Sequence, residues 1–229
     1  MNIQLIQKLT LLDFPGYVAC TVFLHGCNLR CPFCHNAGLV TRAPVGKIDE
    51  NELYSFLESR KGLLDGVCVS GGEPLISDDV FNILYKAKSL GYKVKIDTNG
   101  FFPARLRRAI DEGLCDYVAM DIKNSAEKYP ETCGIENLDI SPVLESIAIL
   151  KEGKVDYEFR TTVALPYHTY ESLVEAAKLI EGAKNYFLQS FKDSGDIIKN
   201  GCEAMCEADL RAVADAISHY VPNVKLRGM

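Results

Sequence analysis

The 229 residues carry 25 Lys and Arg against 31 Asp and Glu, a formal charge of −6, so the chain lacks the cationic footprint that nucleic acid requires. Apolar residues make up 48% of the chain, enough for a sizeable core. No apolar run approaches the length of a membrane span and no secretion signal is evident, so a cytoplasmic protein without membrane or nucleic-acid partners is expected. Nine cysteines in such a chain predict reduced thiols and metal ligation rather than a disulfide framework.

From Val18 onward, short β-rich runs alternate with helical patterns, the signature of repeated βα units around a parallel sheet. The first run, 18–24, ends at the loop Cys27-Asn28-Leu29-Arg30-Cys31-Pro32-Phe33-Cys34. Asp49, with Glu52 three residues later, predicts a capped helix that buries Leu53, Phe56 and Leu57, and a strand follows over 66–70. Ser77 is the expected cap of a helix burying Val80, Ile83, Leu84 and Ala87, ahead of a strand over 93–97. Pro103 opens a helix with Leu106, Ala109 and Ile110 inward, and 117–123 reads as the fourth strand. Ser141 and Pro142 start the next helix, 157–163 is the fifth strand, Thr169 caps a helix through Ile180, and 186–189 is the sixth strand. A last helix carries Leu210, Val213, Ala214 and Ile217. Arg105, Arg107 and Arg108 form the one tight basic cluster and read as a solvated helix face.

Six repeats fall short of the eight of a full barrel. The expected fold class is therefore α/β, an incomplete (β/α)6 TIM-like barrel with parallel strands, in one domain over residues 1–229.

Side chains alternate along a strand, so Lys95 and Asp97 oppose Val94 and Ile96, and Asp121 and Lys123 oppose Met120 and Ile122. Glu158, Arg160 and Thr162 likewise oppose Tyr157, Phe159 and Thr161. Strands covered on both faces read as continuous apolar runs, and these do not. Charges of both signs on one face are costly unless they pair or bind something polar. A polar lumen that holds a ligand is expected, against the alternative of an internal salt-bridge network.

Three thiols at CxxxCxxC spacing can wrap a metal centre. A [4Fe-4S] cluster has four irons, so three cysteines leave one open, whereas structural zinc closes with four ligands and would need His35 or a distant cysteine here. Ser70-Gly71-Gly72-Glu73-Pro74 ends the second strand. Its two glycines admit close backbone approach to a ligand and Glu73 adds an acceptor, although glycine and proline also build ordinary turns.

CxxxCxxC with an aromatic residue before its last cysteine, followed by GGEP at the next strand end, resembles the radical S-adenosylmethionine (SAM) family over most of the chain. The resemblance implies a radical SAM domain in which Cys27, Cys31 and Cys34 hold a [4Fe-4S] cluster and SAM chelates the open iron. It also implies that Gly71, Gly72 and Glu73 line the SAM amino group and that Phe33 lies near the adenine. Leu12-Asp13-Phe14-Pro15-Gly16, Cys34-His35-Asn36, Asp97-Thr98-Asn99-Gly100 and Met120-Asp121-Ile122-Lys123 resemble segments of the activating enzymes of glycyl radical enzymes. The likeness is greatest to the short type that serves anaerobic ribonucleoside-triphosphate reductase.

That subgroup implies a monovalent cation beside SAM near Asp97 and Asp121, Arg160 paired with the SAM carboxylate, and cofactor contacts from Thr98, Asn99, Lys123 and Gln189. It implies a flavodoxin- or ferredoxin-type electron donor and a partner glycine that loses its Cα hydrogen. Gln189 lies in a region where related activases place a histidine, and no added cysteine-rich domain is present between the first two strands. Asp13 is a candidate for holding the incoming peptide, or an ordinary turn residue. Cys20 and Cys68 read as buried strand residues. Cys202 and Cys206, with Cys115 or Cys133, are candidates for a second metal site, and His168 and His219 are expected at the surface. The competing readings are a radical SAM enzyme acting on a small molecule or another peptide, and a non-enzymatic iron–sulfur or zinc protein.

Overall fold

A computed structural model describes residues 2–44, 46 and 48–229. Its sheet begins with β1, Ile3–Thr10, antiparallel to β2, Ala19–Leu24. Five strands then add in parallel, in the order of the chain: β3, Gly66–Gly71; β4, Lys93–Thr98; β5, Tyr117–Asp121; β6, Asp156–Leu165; and β7, Tyr186–Ser190. β8, Glu203–Ala204, pairs antiparallel with the end of β6, and β9, Val224–Arg227, adds one more parallel strand beside β7. The six expected strands are present in the expected order, and β1 and β9 flank them. Sequential parallel strands joined by helical crossovers curl in one direction, and the sheet runs as an open path from β1 to β9.

The helices are α1, Ala37–Thr41; α2, Glu50–Ser59; α3, Val80–Ser89; α4, Pro103–Asp111; α5, Tyr129–Cys133; α6, Ser141–Lys151; α7, Tyr170–Leu179; and α8, Glu207–Ile217. Asp49 caps α2 by accepting from Asn51 N at 2.6 Å, and Thr169 forms a capping box with Ser172 at the start of α7, a device worth about 1 kcal/mol. Two starts differ from expectation. A 3-10 turn, Pro74–Ile76, precedes α3, so Asp79 is the N-cap while Ser77 Oγ accepts from Asp79 N at 3.2 Å. Ile140 is the N-cap of α6 because Ser141 is already helical, its hydroxyl bonded to Asp139.

The outward face of the sheet carries Val67, Val69, Val94, Ile96, Val118, Met120 and Phe159. These pack in one core with helix residues such as Leu53, Leu57, Ile83, Leu106, Leu150 and Leu173, each such side chain contributing about 1.5–3 kcal/mol on burial. At the amino ends of the strands Phe14 is buried beside Tyr17 and Tyr117, with ring centroids at 4.7 and 6.2 Å. Arg105, Arg107 and Arg108 lie on the outside of α4 and pair with Asp78, Glu152 and Glu112. Among the described residues no helix is long and apolar enough to cross a membrane.

Candidate functional site

The cysteine loop leaves β2 at its carboxyl end and is shaped by peptide groups. His25 N donates to Asn2 O and Gly26 N to Leu39 O, both at 2.9 Å, and Cys34 N closes a turn on Cys31 O at 3.0 Å. The end of β3 clamps it from the side: Gly72 N donates to Leu24 O at 2.9 Å and Glu73 N to Gly26 O at 2.8 Å. Asn36 Nδ2 returns to Gly71 O at 2.9 Å. A Cβ on Gly71 would collide with the Leu24 backbone and one on Gly72 with the Gly26 carbonyl. The glycine pair is thus required first by the approach of two backbones of this chain.

Between this loop and the strand ends lies a cavity of about 400 Å³, lined by Cys27, Cys31, Cys34, Phe33, Gly71 and Gly72 on one side. Asp97, Thr98, Asn99, Asp121, Lys123, Arg160 and Gln189 line the other. The volume falls in the range of small-molecule sites, roughly 300–1,000 Å³. One expected residue differs: Glu73 does not line the cavity. It is 1% exposed, and its carboxylate accepts from Leu75 N (3.0 Å), Thr98 Oγ1 (2.8 Å) and Asn99 N (2.6 Å), which ties β3 to β4. Burial pushes it up to about 7 in spite of these donors. The motif showed an acceptor at a strand end, but not that three neighbouring donors would take it.

The charged face forms a continuous ladder. Lys95 is 2% exposed and its ammonium bonds to Asp97 Oδ1. Asp97 Oδ2 accepts from Ser70 Oγ at 3.0 Å and faces Arg160 at 3.5 Å. Arg160 Nε donates to Asp121 Oδ1 at 3.0 Å, and Lys123 Nζ to Asp121 Oδ2 at 2.9 Å. Burial alone would raise both carboxyls, but Arg160 and Lys95 hold Asp97 below the usual range, and Lys123 and Arg160 hold Asp121 down to about 2. Burial would likewise lower Lys123, and Asp121 with Cys31 outweighs it, so the ammonium stays firmly charged. Deeper in the lumen Glu158 accepts from Tyr117 Oη at 3.0 Å and from both terminal nitrogens of Arg227, at 2.7 and 2.9 Å. Both readings of the alternating strands therefore hold in part: the charges pair with one another, and the pairs line a cavity.

Two residues have roles that the sequence did not disclose. His168, expected at the surface, is fully buried. Its Nε2 meets Lys123 O at 2.7 Å and its Nδ1 takes the Ala164 N–H at 3.1 Å, while its ring packs edge-on against Phe33 at 5.6 Å. Burial holds it below the ordinary histidine range, so the neutral ring with the proton on Nε2 fits both contacts. Its position just past β6, in the sharp turn at Pro166, was the available signal. Cys133, at the end of α5, lies beside Cys31, and the neighbouring thiol holds Cys31 below the ordinary cysteine range. The Cys133 carbonyl accepts from Arg30 N at 2.9 Å.

The other candidates separate. Cys206 caps α8, its Sγ accepting from Asp209 N at 3.4 Å, and Cys202 donates to Lys199 O at 3.5 Å. Cys115 lies beside Asp116 at the opposite end of the strands, and Cys133 faces Cys31. The four do not converge on a second metal site. His219 is exposed and stacks on Tyr220, and His35 lies edge-on to Phe191 at 5.5 Å.

Among the described residues no three Cys, His, Asp or Glu side chains meet closely enough to hold a single metal ion. A cube of four irons asks for something else, one thiolate per iron around a common cavity, and three thiols on one loop facing one cavity are that donor set. An open parallel barrel with such a loop at its carboxyl rim and a polar lumen behind it defines an iron–sulfur enzyme scaffold with one coordination position to spare.

The chain belongs to the radical SAM superfamily, whose family model matches residues 21–180, and its cofactors are a [4Fe-4S] cluster and SAM. A Methanocaldococcus jannaschii protein, provisionally named a glycyl-radical enzyme activating enzyme, is 32% identical over 97% of this chain and 94% of its own length. The pyruvate formate-lyase-activating enzyme of Clostridium pasteurianum is 33% identical over 54% of this chain and 52% of its own. Among solved structures, Streptococcus suis SuiB bound to S-adenosylmethionine superposes with a TM-score of 0.69 at 17% identity, over 88% of this chain and 48% of that one. This last likeness is one of fold.

Proposed function

We propose that this protein activates a glycyl radical enzyme, as one radical SAM domain over its 229 residues. The observation that carries the reading is one cavity lined by three thiols on one side and by Asp97, Asp121, Lys123 and Arg160 on the other. The 32% identity to an activase-named relative along nearly all of both chains supports the same subgroup. Bound there, the cluster supplies one electron that splits SAM into methionine and a 5′-deoxyadenosyl radical, which takes a glycine Cα hydrogen from the partner.

In this reading Cys27, Cys31 and Cys34 hold three irons. Arg160 and Lys123 bring the positive charge that suits the SAM carboxylate, and Gly71 and Gly72 leave room for its amino group. Phe33 flanks the adenine, with Thr98, Asn99 and Gln189 as polar contacts at the same wall. Glu73 acts one layer back, by fixing Thr98 and Asn99. Asp13 lines the cavity and accepts from Thr21 Oγ1 at 2.6 Å, a position from which it would meet the incoming peptide. The partner we favour is an anaerobic ribonucleotide reductase, with a flavodoxin- or ferredoxin-type electron donor.

The test uses protein purified without air and reconstituted with iron and sulfide. With SAM and a reductant, 5′-deoxyadenosine should form, and the Cys31→Ala variant should give only background. Mixed with an anaerobic ribonucleotide reductase, the protein should generate a glycyl radical signal in electron paramagnetic resonance. Deoxyadenosine without that signal on any glycyl radical enzyme would favour a small-molecule or other peptide substrate, and no deoxyadenosine would sink the enzymatic reading.

A further inference from the structure

The two carboxylates expected to flank a monovalent cation are already neutralised by the chain. Asp97 Oδ1 takes the Lys95 ammonium and Oδ2 takes Ser70 Oγ and Arg160; Asp121 gives one oxygen to Arg160 and the other to Lys123. All four oxygens are engaged. Three cations face these two carboxylates, and a further cation would have to displace donors from the oxygens it needs. Arg160 and Lys123, which line the cavity, are of the right sign for an anionic ligand group at the same wall.

Lys95 makes the difference. It stands on β4 between β3 and β5, its side chain 2% exposed and its Nζ also lying 3.9 Å from Cys68 Sγ, so the ammonium is held at the carboxylate by burial. We propose that the Lys95 ammonium is a built-in replacement for the monovalent cation, so that SAM binding in this protein needs no potassium or sodium. The proposal rests on the reading of the cavity given above.

The experiment measures SAM affinity of the reconstituted protein by equilibrium dialysis, in potassium chloride and in choline chloride at equal ionic strength, and in parallel the thermal midpoint of the protein without SAM. Wild type should bind SAM within about twofold in the two salts, and its midpoint should not respond to potassium. Lys95→Met should bind about tenfold more weakly in choline and recover most of that in potassium, with a midpoint that potassium raises. A merely structural ion pair would lower the midpoint in both salts alike. The double variant Lys95→Met/Asp97→Asn removes one charge of each sign and the oxygens potassium would need, so it should ignore potassium; if the single variant fails to fold, wild type compared in the two salts still decides.

A wild-type protein whose SAM affinity collapses in choline would overturn the proposal, as would a folded Lys95→Met variant indifferent to potassium. No saturable SAM binding by wild type in either salt would instead overturn the reading of the cavity, and the proposal with it.

Discussion

On the charged wall of the cavity, Asp97 and Asp121 give all their oxygens to Lys95, Ser70, Arg160 and Lys123. On the sulfur wall, Cys27 meets Asn99 Nδ2 at 3.7 Å, Leu29 N at 3.4 Å and Asn28, and Cys31 lies beside a second thiol, that of Cys133. One wall is complete within the chain, and the other is completed from outside. Removing a member of the first should therefore cost stability, because it strands a buried charge. Removing a member of the second should cost function and little else.

Arg160→Met tests the contrast most severely. It leaves two part-buried carboxylates short of their shared partner and should destabilise by about 3–5 kcal/mol in urea unfolding. A loss below about 1 kcal/mol would mean that the charged wall tolerates gaps and that the contrast fails. Next comes His168→Phe, which keeps the ring against Phe33 but leaves Lys123 O and Ala164 N without their partner. A loss of about 2 kcal/mol is expected, and an unchanged urea midpoint would show that water replaces the imidazole.

Acid should open the charged wall in a defined window. Both carboxyls lie below the ordinary aspartate value of 3.8 in the folded protein, Asp121 at about 2. Their stabilisation is therefore complete above that ordinary value and disappears as the pH falls towards 2. For Asp121 this amounts to about 1–2 kcal/mol once its partial exposure is allowed for, and Asp121→Asn should flatten that limb of a stability-against-pH curve.

The smallest stability effect is expected at the sulfur wall. Cys31→Ala should cost about 1 kcal/mol or less, while iron content falls and SAM cleavage is lost. A variant that unfolds instead would show that this thiol holds the loop as well as the iron.

Local pattern reached far into this molecule. The period-two split of β4, β5 and β6 told which side chains face the lumen, because alternation is a property of a single strand. Spacing alone grouped Cys27, Cys31 and Cys34. What it did not reach depends on which backbones meet. The burial of Glu73 comes from Thr98 and Asn99 on the neighbouring strand end, and that of His168 from a carbonyl 45 residues away. β1 alternates in its first half, Ile3-Gln4-Leu5, and β9 as Val224-Lys225-Leu226-Arg227, but runs this short acquire a partner only through the sheet that receives them. The Lys95 and Asp97 pair was legible as a shared face; that the ammonium and the carboxylate meet was not.

The loop that carries the thiols takes its course from amides and carbonyls of β3, α1 and α5. Its sulfurs are passengers on a frame that other segments hold. A bulkier residue at Gly71 or Gly72 would therefore displace all three sulfurs together without altering a single thiol.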